Sequence, residues 1–212
     1  MTAAVGIQSP EREALGGLIL SLADNKAALG RRYGEWAVSA PTLESAVAAA
    51  AMAQDELGHA RATYPLLKQL EAADAPGPAA DGGHACMPVL ASEFPSWDWF
   101  VAANLAIDGM LTAFVRACEE SAFVGLAQRA RKILQEERSH EVHARAWARR
   151  LARDERRRDG FAAALDECAR QAGDWAGSTD AAGFAALVSS GYVAASPDEL
   201  RASLRAKIGE VQ

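Results

Sequence analysis

Two Glu-x-x-His tetrads, Glu56-x-x-His59 and Glu137-x-x-His140, constrain the fold of this chain more than any other feature. On an α-helix, residues i and i+3 share a face, so each tetrad aims one carboxylate and one imidazole at the same point. Two such helices facing each other in a four-helix bundle form most of a two-metal carboxylate site. The remaining two helices must each add one carboxylate.

The bulk properties allow this. A chain of 212 residues, half of them apolar, can bury one core, and we read 1–212 as a single domain. A formal charge of -6 argues against nucleic acid as the main partner, because phosphate binding wants a basic surface. The cysteines Cys86, Cys118 and Cys168 are odd in number and scattered, which points to a reducing, cytoplasmic setting without a disulfide framework. The N-terminus has no signal-peptide pattern. No uninterrupted apolar run approaches the roughly 20 residues that span a bilayer, so no membrane partner is expected.

Helical patterning fills the chain. Ser9-Pro10-Glu11 has the form of a cap, a first-turn proline and a dipole-matching acid. It opens a helix to about residue 37, with the stripe Leu15, Leu18, Leu22, Lys26, Leu29, Tyr33 and Trp36. Pro41-Thr42 starts an alanine-rich second helix. Ala73 to Pro95 is rich in proline and glycine and reads as a long crossover containing His84. Ser96 is placed to cap a third helix carrying Val101, Leu105, Asp108, Thr112 and Val115 on one face. A break near Ala122 leads to a fourth helix ending near Arg153. Beyond it, Phe161 to Trp175, Asp180 to Ser189 and a helix capped by Ser196 form a C-terminal extension over 154–212. Helix hairpin, long crossover, helix hairpin is the ferritin-like order, so the expected fold is an all-α four-helix bundle over about 10–153 with extra C-terminal helices.

Geometry nominates the partner of the second tetrad. Glu137 lies about 13 residues, or roughly 20 Å, into its helix. An antiparallel neighbour ending near Ser121 faces it at Asp108, a carboxylate on an otherwise apolar face. Asp is a poor helix former and is rarely buried alone. The same construction for the first hairpin falls on Lys26. Asp24 is turned about 200° away from that position, and Glu35 lies roughly 14 Å along the axis.

The segments Trp36 through Tyr64 and Ile107 through His140 resemble the phenylacetyl-CoA epoxidase (phenylacetate catabolism) family of ferritin-like proteins. The resembling motifs are Ala40-Pro41-Thr42-Leu43, Gln54-Asp55-Glu56-Leu57-Gly58-His59, Asp108-Gly109 and Glu136-Glu137-Arg138-Ser139-His140. The likeness covers roughly residues 20 to 150. It implies a two-iron centre that activates dioxygen to oxidise a small organic or acyl-thioester substrate, with electrons from a separate reductase and an oligomeric assembly. Glu56, His59, Asp108, Glu137 and His140 match family ligands. The sixth ligand, a glutamate on the first helix, falls at Lys26, the candidate catalytic residue. The family's non-catalytic subunit also lacks that glutamate, so a scaffold with a vestigial site is the alternative, and a metal-storing ferritin relative is a third reading.

Three carboxylates and one ammonium carry two net negative charges, which suits one divalent ion rather than two. A charged Lys26 would pair with Glu56 and favour the metal position of Asp108, Glu137 and His140. A neutral Lys26 would instead be a ligand or proton shuttle. Asp55 and Glu136 either hold the ligand histidines from outside or are surface acids. His143 reads as a surface or supporting group. Arg145, Arg149, Arg150, Arg153, Arg156, Arg157 and Arg158 form either an anion-binding run or a solvated helix end. Met52, Leu105, Leu111 and Phe114 line either a substrate cavity or the core.

Overall fold

The computed structural model describes residues 9–70, 86–176 and 181–211. The architecture is an all-α ferritin-like bundle, with no strand among the described residues. His84 and most of the crossover lie outside the described residues.

Helix α1 (Ser9–Trp36) begins with Pro10 and Glu11 in its first turn and packs tightly on α2 (Leu43–Gln69). The Thr42 hydroxyl caps α2 by accepting the Ser45 N–H at 3.2 Å. Close approach of this pair depends on Gly30. A Cβ there would lie 2.7 Å from Leu57 Cγ and 3.1 Å from the Ala53 carbonyl oxygen. The expected α1 stripe is buried, but the helix is covered more widely than a stripe requires, with Leu22 to Gly30 buried on every side. Asp24, on the far side from Lys26, is inside as well and accepts the Tyr64 hydroxyl at 2.8 Å. Its neighbour Asn25 accepts the Met87 N–H at 2.8 Å, beside the short 3₁₀ turn Pro88–Leu90.

The third bundle helix is one rod in three parts. Helix α3 (Trp97–Ala103) runs into a π turn (Asn104–Asp108), and α4 (Gly109–Ala117) completes it. The most apolar 18-residue window of this 21-residue stretch, Trp97–Ala117, has a mean hydropathy of 1.4 and would pass for a membrane span, but 89% of that window is buried in the protein. Ser96 holds the N-cap position of α3 yet makes no side-chain cap bond, contrary to the sequence expectation. The expected cap at Ser196 forms in full as a capping box with Glu199.

Helix α5 (Val124–Arg153) is the fourth bundle helix and carries the second tetrad. Helix α6 (Arg158–Ala176) packs on α3 and the π turn, α7 (Ala181–Ser189) on α1, and α8 (Pro197–Gly209) on α4. The C-terminal helices therefore cover the faces of α1 and the third rod that α2 and α5 leave open. Met52, Leu105, Leu111 and Phe114 are all packed core residues. Cys86, Cys118 and Cys168 are free thiols.

Candidate metal centre

All six residues singled out in the sequence, one of them Lys26, converge at the middle of the bundle. Glu56 and His59 come from α2, Glu137 and His140 from α5, Asp108 from the end of the π turn and Lys26 from α1. None is more than 4% exposed, and Lys26 is fully buried. The Lys26 ammonium donates to Asp108 Oδ1 at 2.7 Å, Glu137 Oε1 at 2.5 Å and Glu56 Oε1 at 3.0 Å. Three donors thus meet three carboxylates, which uses every N–H the ammonium has.

That contact favours the charged lysine. Burial on its own would neutralise the amine. The carboxylates of Asp108, Glu137 and Glu56 outweigh burial and hold its pKa well above the ordinary lysine value. The effect is mutual. Burial and Asp108 would raise the Glu56 pKa, but Lys26 and both histidines pull it down to about 2. Glu137 is lowered against its own burial, chiefly by Lys26.

Each imidazole turns Nδ1 inward and Nε2 outward. His59 Nδ1 lies 3.5 Å from Glu56 Oε1 and 3.4 Å from Glu137 Oε1. His140 Nδ1 lies 3.2 Å from Asp108 Oδ2, 3.3 Å from Glu56 Oε1 and 3.5 Å from Glu137 Oε2. The outer nitrogens bind crosswise between α2 and α5: His59 Nε2 to Glu136 Oε2 at 2.7 Å, and His140 Nε2 to Asp55 Oδ2 at 3.3 Å. Asp55 and Glu136, each next to a tetrad glutamate, therefore fix the ring orientations from outside. Burial works against imidazolium charge, yet the nearby Glu137 and Glu56 carboxylates lift His59 to about 9, although its Nδ1 makes no hydrogen bond, and Asp108 and Glu56 lift His140 to about 11. Lys26 and the two imidazoliums thereby balance the three carboxylates without any metal. A cavity of about 140 Å³ between α2 and α5, lined by Asp55, His59, Arg129, Lys132 and Glu136, brings the surface to the back of His59.

Three participants were not legible as site residues. The Tyr33 hydroxyl donates to Asp108 Oδ2 at 3.3 Å and accepts from Asn104 Nδ2 at 2.9 Å. Asn104 also donates to Asp108 Oδ2 at 3.3 Å, and the Thr112 hydroxyl donates to Glu137 Oε2 at 2.8 Å. The usable signal was Asn104, a polar residue one turn before Asp108 in an apolar helix. The π turn that holds both has no mark in the sequence, and such wide turns concentrate at functional sites. Burial, with the charges of Asp108 and Glu56, drives the Tyr33 phenol well above its ordinary pKa, so it stays a neutral donor.

Other candidates fall outside the centre. His143 packs edge-on against Trp97 and Phe100, and burial together with His140 pushes it down to about 4. Several arginines of the α5 end serve the fold: Arg145 pairs with Glu141 and Glu210, Arg157 with Asp98, and Arg150 lies over the Trp147 ring.

Residues 2–212 match the family model described as phenylacetic acid catabolic protein. The chain belongs to that family. The match spans essentially the whole chain, C-terminal helices included, and ties it to phenylacetate catabolism. The chain has no match among curated proteins.

Within this family member, the donor set can be tested against a metal. Glu56, Asp108, Glu137 and His140 each offer one ligand atom, all within 4.8 Å of one another. Donors on opposite sides of an ion at about 2.1–2.2 Å stand at most roughly 4.4 Å apart, so closure by a few tenths of an ångström suffices. Glu56 Oε2 is buried with no hydrogen-bond partner, an acceptor that a cation would satisfy. One divalent ion fits these residues.

Proposed function

We propose that this family member is the metal-binding component of an oxygenase system in phenylacetate-type catabolism, oxidising a small organic or acyl-thioester substrate. The observation that carries this reading is the buried set of Glu56, Asp108, Glu137 and His140, whose ligand atoms lie within 4.8 Å of one another, with one Glu56 oxygen lacking a hydrogen-bond partner. Bound iron would supply one-electron chemistry with dioxygen, its electrons drawn from a separate reductase. The chain's own residues do the rest. Asp55 and Glu136 hold the imidazoles in register, and Tyr33, Asn104 and Thr112 hold the second oxygens of Asp108 and Glu137. The Lys26 ammonium offsets carboxylate charge at the point where it would otherwise repel itself.

The test is anaerobic loading with ferrous ion, then dioxygen uptake under a chemical reductant, with and without an aryl-acyl thioester. Uptake that continues beyond oxidation of the loaded iron, and that depends on the thioester, is the expected result. Uptake that stops at one oxidation of the iron removes the proposal.

Lys26 favours a second reading. Its three ion pairs complete the centre without metal, as a non-catalytic partner subunit would require. Val38, Leu43 and Val47, all largely exposed near the start of α2, would give such a subunit apolar surface. This reading expects a stable heteromeric complex and no dioxygen uptake by the isolated chain.

A further inference from the structure

The three carboxylates at the centre divide their oxygens in a way that assigns the place of a metal. Lys26 Nζ takes one oxygen from each: Glu56 Oε1, Asp108 Oδ1 and Glu137 Oε1. The other three oxygens face elsewhere. Asp108 Oδ2 and Glu137 Oε2 lie 3.2 and 3.5 Å from His140 Nδ1, and Glu56 Oε2 has no partner. Thr112 orients Glu137 Oε2, which keeps a second lone pair, whereas Asp108 Oδ2 already accepts from both Tyr33 and Asn104, so a metal there replaces one of those two bonds. His59 stands on the other side. Its Nδ1 faces Glu56 Oε1 and Glu137 Oε1, the same oxygens that the ammonium holds. His59 Nδ1 is buried without a hydrogen bond, but both oxygens it faces are held by the ammonium, whereas His140 Nδ1 shares only Glu56 Oε1 with Lys26 and otherwise faces Asp108 Oδ2 and Glu137 Oε2, which the ammonium leaves free.

Resting on the reading of a metal-binding component, we propose that this centre is mononuclear by construction. Lys26 is a tethered second cation, permanently seated on the His59 side, and a single divalent ion binds on the His140 side through Glu56, Asp108, Glu137 and His140. The carboxylates bridge ammonium and metal as they would bridge two metals. The three carboxylates then balance one ion and one ammonium more closely than they would two ions.

The test uses manganous ion, added under argon to the chelator-treated full-length chain and followed by equilibrium dialysis and electron paramagnetic resonance. Wild-type protein should take up one ion per chain, with the spectrum of an isolated ion. Lys26→Glu should raise this to two, with a coupled-pair spectrum. Because that variant rebuilds a buried cluster, two further variants keep the test independent of its folding. His140→Ala should weaken uptake by more than about 100-fold, and His59→Ala by less than about tenfold. Two ions in the wild-type chain, no ion at all, or equal losses from the two histidine variants would overturn the proposal. One bound ion without thioester-dependent dioxygen uptake would leave it standing and remove only the oxygenase function.

Discussion

The two tetrads are alike in sequence and opposite in circumstance. Glu137 and His140 face Asp108, a carboxylate held by Tyr33, Asn104 and Lys26. Glu56 and His59 face Lys26 itself, and Glu56 keeps one oxygen without a partner. A tetrad therefore specifies only half of a cation site. The residue that the neighbouring helix brings opposite decides whether the cation is an ion from solution or part of the chain. The largest effect should come from removing that built-in cation. Lys26→Met keeps the volume and leaves three buried carboxylates without their common partner, which should cost about 3–5 kcal/mol of metal-free stability. Urea unfolding of chelator-treated protein measures it, and saturating manganous ion should recover a clear part of the loss. A midpoint indistinguishable from wild type would mean that Lys26 does not neutralise the cluster.

Much of this centre was visible before the fold. The repeated tetrads and the apolar periodicity required a bundle, and counting back from the turn placed Asp108 opposite Glu137, where the structure puts it. The same count found Lys26, and charge arithmetic paired it with Glu56, but in the structure the ammonium bonds all three carboxylates and Glu56 is the farthest, at 3.0 Å against 2.7 Å for Asp108 and 2.5 Å for Glu137. What stayed hidden depends on contacts between elements distant in sequence. Tyr33 was one member of an apolar stripe until Asn104 and Asp108 were seen against it. The π turn leaves no local composition signal, because a one-residue widening changes hydrogen-bond partners and not residue types. Asp24 was placed on an outer face by helical phase alone. It is buried because Tyr64 and the Met87 region close over that side of α1. Ser96 and Ser196 carry the same cap signature, and only Ser196 uses its side chain, since Glu199 completes the reciprocal pair.

Neutralising one carboxylate on each side should separate the halves by a smaller amount. Asp108→Asn removes a charge that serves Lys26, His140 and Tyr33 together, and about 3 kcal/mol is expected. Glu56→Gln leaves the ammonium on its two shorter contacts and should cost about half as much, roughly 1.5 kcal/mol. Equal losses from the two variants would contradict the asymmetry.

Acidity provides a graded test of the same contrast. His59 and His140 are raised to about 9 and about 11. The stability they give is fully present below the unfolded histidine value near 6.5, and it is lost as pH climbs through about 9 and then about 11. Glu56, lowered to about 2, contributes stability above the unfolded carboxylate value, and this is lost as pH falls toward about 2. The metal-free urea midpoint should therefore be highest between roughly pH 5 and 6.5 and decline in two stages above it. His59→Gln should abolish the earlier stage and leave the later one. A midpoint that climbs steadily from pH 6 to 9 would show that the imidazoles are not charged in the folded chain.

The smallest effects belong to the outer acids, and they reverse the order of the inner ones. Glu136 binds His59 at 2.7 Å, while Asp55 is 3.3 Å from His140. Both carboxylates are more than a third exposed or close to it, at 39% and 35%, so water screens much of each contact. Glu136→Gln should cost under about 1 kcal/mol, and Asp55→Asn less again. Their consequence for the metal runs the other way. If the ion sits on His140, loosening that ring through Asp55→Asn should weaken manganous binding by about 10-fold, whereas Glu136→Gln, acting on a ring that holds no ion, should leave it nearly unchanged. Stability and affinity then rank the two acids in opposite orders, a result that a symmetric two-metal centre cannot produce. Calorimetric titration of both variants beside their urea midpoints would show whether the two rankings part.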